Sequence, residues 1–326
     1  NGFDIQAMEM TKWFNTNYHY IVPEFYKNQK FNLYNEKVIN EFYEAKELLG
    51  VTPKPVLLGP VSYLLLGKEK ESGFNKIDLL DSLLPAYEQI LKKLQDYGAT
   101  WIQFDEPFLV MNLNADEKIA YKKAYTQLTE KFKYLNFQIA TYFEGITENL
   151  ALVNSMPVQM LHIDLVRNGN QLDDLLNSSF AESKKILSIG VLDGRNIWKN
   201  DYTLSLEKIQ KAFNVLGERR VVIAPSCSLL HTPCDLDNET NKTSLPTEIK
   251  NWMAFAKQKL SEVVDLSRIA FETHSDETTK LLEKNSRAIA SRKNSPLVHK
   301  KEVQEALLAT KLRGFDRTSS FTTRQK

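Results

Sequence analysis

Two cysteines, Cys227 and Cys234, are all that 326 residues contain, and no CxxC pair links them. A disulfide framework and a four-cysteine metal site are both excluded. Charge of one sign is missing too. Lysine and arginine (42) balance aspartate and glutamate (41), for a formal net charge of +1, so there is no electrostatic case for nucleic acid or an anionic membrane surface as partner. No apolar run approaches the roughly 20 residues that span a bilayer, and no charged-then-apolar leader is visible, so the expected setting is cytoplasmic, with no membrane partner. Glycine-rich phosphate loops of the GxGxxG or GxxxxGK[ST] type do not occur after the first strand signal.

What is present is a chain that is 42% apolar and 25% charged, enough for a sizeable core. Short β-branched or apolar runs recur as "KPVLLGPVSYLLL" from Lys54, "TWIQFDEPFLV" from Thr100, "FQIATYFEG" from Phe137, "MLHIDLV" from Met160, "ILSIGVLDG" from Ile186 and "VVIAPSCSLL" from Val221. Amphipathic stretches separate them. In one, Leu79, Leu80, Leu83, Leu84, Tyr87, Ile90, Leu91 and Leu94 repeat at helical spacing until Gly98. Apolar strands alternating with helices predict α/β architecture with a parallel sheet, and polar residues at the strand ends favour a (βα)8 TIM-type barrel over a doubly wound sheet. Six strand signals are two short of closure. With a chain opening at Asn1 rather than methionine, the expected fold is an incomplete barrel lacking its first strands.

"EIKNWMAFAKQKLSEVVDLSRIAF" predicts one long helix through Trp252, Phe255, Leu260, Val263 and Ile269. From about Glu283 the pattern weakens and the tail becomes basic and polar, so residues 1–282 are expected to form the barrel domain and 283–326 a helix and linker.

Candidate chemistry sits at the strand ends: Asp105 and Glu106, Tyr142 and Glu144, His162 and Asp164, then Ser226, Cys227, Ser228, His231 and Cys234. Asp105, Glu106, Asp164 and His162 could hold a metal in a free-standing barrel hydrolase. The structural alternatives are as strong. His162 reads as a hydrogen-bonded core histidine, Asp105 and Glu106 as caps of the helix that follows, and the cysteines as packing residues; Arg195 in "DGRNIW" reads as the partner of a carboxylate. His231 with Cys234 makes at best half a tetrahedral site.

Five ordered segments, "EMTKWFNTNYHYIVPEF", "PVLLGPVSYLLLGK", "WIQFDEPFLV", "IGVLDGRNIWKND" and "APSCSLLHTPCDLDNET", together resemble the N-terminal half of cobalamin-independent methionine synthase, over nearly the whole chain. The resemblance implies two facing (βα)8 barrels in the complete enzyme. It also implies methyl transfer from polyglutamylated 5-methyltetrahydrofolate to homocysteine, and a zinc ion in the C-terminal barrel. The N-terminal barrel would brace that barrel and help hold the folate tail, through the lysine of "TKWF", here Lys12. The complete family enzyme begins with further strands and a basic folate-binding motif, and this chain ends before the zinc barrel. No catalytic residue and no bound cofactor are therefore expected in it, and methyl transfer by it alone is not expected; homocysteine would bind in the absent barrel. If the two barrels arose by duplication, the positions matching the zinc ligands would be Tyr142, Glu144, Asp164 and Cys227, a set with a single soft donor. The alternatives left open are the metal-dependent barrel enzyme and a non-catalytic folate-binding or scaffold protein.

Overall fold

The computed structural model describes residues 6–272, 275–313 and 319–325. Asn1 and the middle of the polar tail, 314–318, lie outside the described residues. The chain enters through an antiparallel hairpin, β1 (Met10–Lys12) and β2 (His19–Ile21), followed by β3 (Glu24–Phe25) and α1 (Lys37–Leu49). Then come β4 (Val56–Leu58), α2 (Pro60–Leu66), β5 (Lys68–Glu69), α3 (Leu80–Asp96), β6 (Trp101–Asp105), α4 (Ala115–Lys131), β7 (Asn136–Ala140) and α5 (Leu150–Ser155). The series continues with β8 (Met160–Asp164), α6 (Gln171–Leu176), β9 (Ile186–Leu192), α7 (Tyr202–Leu216) and β10 (Val221–Pro225). All six strand signals of the sequence become the six strands of one parallel sheet, ordered β10-β9-β8-β7-β6-β4.

That order is the order of the chain, with no switch point. Right-handed crossovers of one sense put every connecting helix on the same face, so the sheet has a covered face and an open one. Strand alternation fits both. Ile102, Phe104, Phe137, Ile139, Leu161, Ile163, Leu187 and Ile189 are buried under the helices. On the other face the register sets Gln103 beside Gln138, and Asp105, Ala140, His162, Ser188 and Val222 in one row. The strands are therefore half polar by alternation, not apolar at nearly every position. At the two sheet edges, Val56 of β4 and Val222 of β10 stay exposed.

The expected long helix after the last strand divides into α8 (Thr247–Asn251) and α9 (Ala256–Phe271). Trp252 and Phe255 fall in the break. Here the helical ladder gives way to pairing with the loop after β9: Ala254 N donates to Ile197 O (2.8 Å), Lys199 N to Trp252 O (2.9 Å), and Trp198 bridges Met253. The next helix, α10 (Asp276–Asn294), crosses residue 283 without interruption, burying Asn285 and Ala288. Arg292 lies over the Trp198 ring, 3.8 Å from its centroid, so α10 also braces that loop. No helix among the described residues is long and apolar enough to cross a membrane.

Candidate functional site

The aromatic stretch from Glu9 to Phe25 becomes the β1–β2 hairpin, set across the carboxyl ends of the sheet. Met10 pairs with Ile21, Thr11 with Tyr20 and Lys12 with His19. The turn between the strands is closed by Trp13 N donating to Tyr18 O (2.7 Å) and by Thr16 Oγ1 donating to Trp13 O (2.7 Å). Phe14 sits in this turn with φ +52°, a conformation costly for an aromatic residue. Packing maintains it. The Phe14 ring meets Trp13, Phe108 and Phe143 edge-on, at centroid distances of 5.1, 5.7 and 5.9 Å. Phe143, after β7, also has positive φ (+78°), and its N–H donates to Asp164 Oδ2 (3.0 Å). Two strained aromatic residues thus meet where the hairpin touches the strand ends. Nothing in the sequence signalled this, because the strain arises only from contacts across the fold.

The hairpin roofs a cleft of about 790 Å³ whose lining includes Trp13, Tyr20, Lys54, Gln103, Asp105, Gln138, Tyr142, His162, Ser188 and His231. Lys54, Gln103 and Gln138 were not singled out in the sequence, although polar residues at alternate strand positions were the available signal. Lys54 Nζ donates to Gln138 Oε1. Asp105 accepts from Gln103 Nε2 (2.8 Å) and Tyr142 OH (3.2 Å), and its carboxyl is raised by burial against the pull of those donors and of Lys54.

The four residues of the metal-hydrolase alternative do not converge. Asp105 and His162 share the open face, whereas the adjacent Glu106 is turned into the core, fully buried. Glu106 caps no helix of its own; Ser62 N, three residues into α2, donates to its Oε2 (2.9 Å). His162 is the core histidine expected: Nε2 donates to Ser226 O (3.2 Å), which leaves Nδ1 to accept from Ser188 Oγ (3.0 Å). Burial pushes it down to about 4. Asp164 fastens its loop, Oδ1 accepting from Val166 N (2.9 Å) and Arg167 N (3.0 Å).

Nor does the set matching the family's zinc ligands suit zinc. Asp164 spends its oxygens on three backbone N–H groups, and Glu144 is exposed. Tyr142 OH is committed to Asp105, and burial raises the Cys227 thiol to about 12, far from the thiolate a metal wants. His231 is half-buried and Cys234 exposed, and the described residues contain no group of three potential metal donors.

Lys12 is exposed on β1. Arg195 finds Asn15, not the expected carboxylate: Nη1 donates to Asn15 Oδ1 (2.7 Å) and Nη2 to Asn15 O (2.9 Å), with the guanidinium 4.8 Å from the Phe143 centroid. Asp193 instead accepts from the Arg195 backbone N–H (2.8 Å).

Residues 2–217 match the family model described as cobalamin-independent synthase, N-terminal domain. The chain is 53% identical over all 326 residues to the 5-methyltetrahydropteroyltriglutamate–homocysteine methyltransferases of Cytophaga hutchinsonii and of Flavobacterium johnsoniae, and it spans 42% of the length of each. Among solved structures, a Listeria monocytogenes protein described as a vitamin-B12-independent methionine synthase superposes with a TM-score of 0.54 over 76% of this chain and 74% of its own, at 13% identity. That likeness establishes a shared fold.

Proposed function

This chain belongs to the cobalamin-independent methionine synthase family, matching its N-terminal domain, and from that premise we propose that it is the N-terminal portion of a 5-methyltetrahydropteroyltriglutamate–homocysteine methyltransferase. In this reading residues 1–282 are an incomplete (βα)8 barrel, with the open sheet face turned to its axis. Residues 283–326 lead toward a second barrel that carries zinc and binds homocysteine. The chain braces that catalytic barrel and holds the polyglutamate tail of the folate, and it does not turn over alone.

The observation that carries the reading is the exposed Lys12 on a hairpin fastened above the strand ends. A lysine there suits a string of carboxylates, because a flexible ammonium follows a mobile polyanion without fixed bidentate geometry. Lys12→Ala in the complete enzyme is expected to raise KM for the triglutamyl folate roughly three- to tenfold, the size of one partly screened charge contact, and KM for the monoglutamate much less. Equal effects on the two substrates would remove the tail-binding role. The isolated 326-residue chain is expected to produce no methionine from 5-methyltetrahydropteroyltriglutamate and homocysteine, even with zinc supplied; turnover would contradict the bracing role.

A further inference from the structure

We propose that Arg195 is a positioning residue for Lys12, holding the hairpin turn so that the flexible Lys12 side chain reaches out from a fixed place over the strand ends. This inference rests on the reading of Lys12 as a contact for the folate tail.

The hairpin is fastened at its ends and at its tip by different groups. Near its base, Tyr20 OH donates to Leu66 O (3.0 Å), Val22 N donates to Glu9 O (2.8 Å), and Glu9 pairs with Lys68 on the surface. On the side facing the loop after β10, Tyr18 OH donates to Leu230 O. The turn itself is different. Among the described residues, the only hydrogen bonds reaching residues 14–17 from outside the hairpin are the two from Arg195 to Asn15.

The chemistry of the contact needs arginine. One planar fork serves the side-chain oxygen and the backbone carbonyl of the same residue, so it fixes the turn in orientation as well as distance. The same guanidinium lies over Phe143, whose ring packs against Phe14, so the cation also clamps the aromatic contact that maintains the positive φ of Phe14. Arg195 is held in turn. Its backbone N–H is bound by Asp193, and Asn196 Nδ2 donates to Asp193 Oδ2 (2.7 Å). Further along the loop, Trp198 O accepts from the buried Lys259 Nζ (2.9 Å), and Glu262 Oε1 accepts from Asn200 N (3.0 Å). The anchor is thus the rigid side of the contact and the hairpin the supported side. The ammonium itself stays flexible; the anchor fixes the backbone from which the Lys12 side chain reaches, so releasing the turn spreads that reach over a wider volume and weakens the contact.

The test is a double-mutant cycle in the complete enzyme, with KM and kcat measured on triglutamyl and monoglutamyl 5-methyltetrahydrofolate. Arg195→Ala and Arg195→Lys are each expected to raise KM for the triglutamate roughly three- to tenfold, leaving kcat and the monoglutamate KM nearly unchanged. Lysine fails as a replacement because it has no fork. Combined with Lys12→Ala, neither Arg195 substitution is expected to raise KM further, since a positioning residue has nothing left to position. Additive effects would mean that Arg195 meets the ligand itself and would overturn the proposal. So would a loss of kcat shared by both substrates, the mark of a purely structural role, or Arg195 variants without effect beside a selective Lys12→Ala. If Lys12→Ala itself shows no selectivity for tail length, the reading of Lys12 fails first, and the positioning role falls with it. Unchanged near-ultraviolet circular dichroism of the Arg195 variants would confirm that they fold.

Discussion

At pH 5, replacing Glu106 with alanine is expected to lower the unfolding free energy of the chain by about 3–5 kcal/mol, whereas glutamine is expected to cost about 1 kcal/mol or less. The difference lies in what surrounds the carboxyl. When ionised, Oε1 accepts from Tyr125 OH (2.5 Å) and Oε2 from Tyr121 OH (3.1 Å) and Ser62 N (2.9 Å), all in the buried core; when protonated, as at pH 5, the carboxyl keeps these neighbours with one tyrosine hydroxyl turned to accept its proton. Gly59 packs directly against the carboxyl, so close that a Cβ there would stand 2.0 Å from Oε1, and only glycine fits at that position. Alanine would leave the Tyr125 hydroxyl and one helix N–H without partners, reduce Tyr121 to its longer contact with Ser62 Oγ (3.3 Å), and open a cavity among them. Glutamine keeps the shape. Its oxygen can serve Ser62 N, and the Tyr125 hydroxyl can rotate to accept from the amide.

The same pair of variants gives a pH signature. Burial raises the Glu106 carboxyl from 4.5 to about 7, against the donors that pull it down. Because the folded value is the higher one, the stabilisation is present below pH 4.5 and is lost as pH rises to about 7, a span of about 3 kcal/mol. Glu262 is raised to about 7 as well, so the slope of the natural chain alone mixes the two. Subtracting Glu106→Gln isolates the first. Relative to that variant, the natural chain is expected to lose about 2–3 kcal/mol between pH 5 and pH 8 in urea unfolding. A constant difference would mean that Glu106 stays ionised in the fold.

Glu106 also marks where the sequence stops being readable. The strand before it was plain, as were the other five, because a short β-branched or apolar run between helical stretches is a local pattern, whereas the polar alternation within those strands was read only from the structure. The partners of Glu106 were not plain, since Ser62 lies 44 residues away and the tyrosines join it only through the packing of α2 and α4 against the sheet. The break at Trp252–Phe255 was hidden for the same reason: the segment is apolar at helical spacing, but its backbone is claimed by a loop some 55 residues earlier. The hairpin is a mixed case. "TKWF" singled out Lys12 through family resemblance, while the grip of Arg195 on the turn spans 180 residues and leaves no local trace.

His162→Phe is expected to destabilise the chain by about 2–4 kcal/mol at pH 7.5, and by much less near pH 4.5. The ring ties three strands' worth of chain together, from β8 to Ser188 on β9 and to the carbonyl of Ser226 just past β10. Phenylalanine fills the volume but leaves that carbonyl and hydroxyl unpaired among buried neighbours. The pH term runs opposite to that of Glu106. Burial lowers the imidazole from 6.5 to about 4, so the folded chain refuses a proton that the unfolded chain accepts. Its stabilisation is therefore present above pH 6.5 and lost as pH falls toward 4, a span of about 3 kcal/mol that the phenylalanine variant lacks. Between pH 4.5 and 6.5 the histidine and Glu106 slopes oppose each other and flatten the profile of the natural chain, so only the paired variants expose them. Urea unfolding of the natural chain and His162→Phe at pH 7.5 and 4.5 measures the term directly. A difference that does not shrink toward acid would mean that the imidazole takes up its proton inside the fold, and the tautomer that links Ser188 to Ser226 would have to be abandoned.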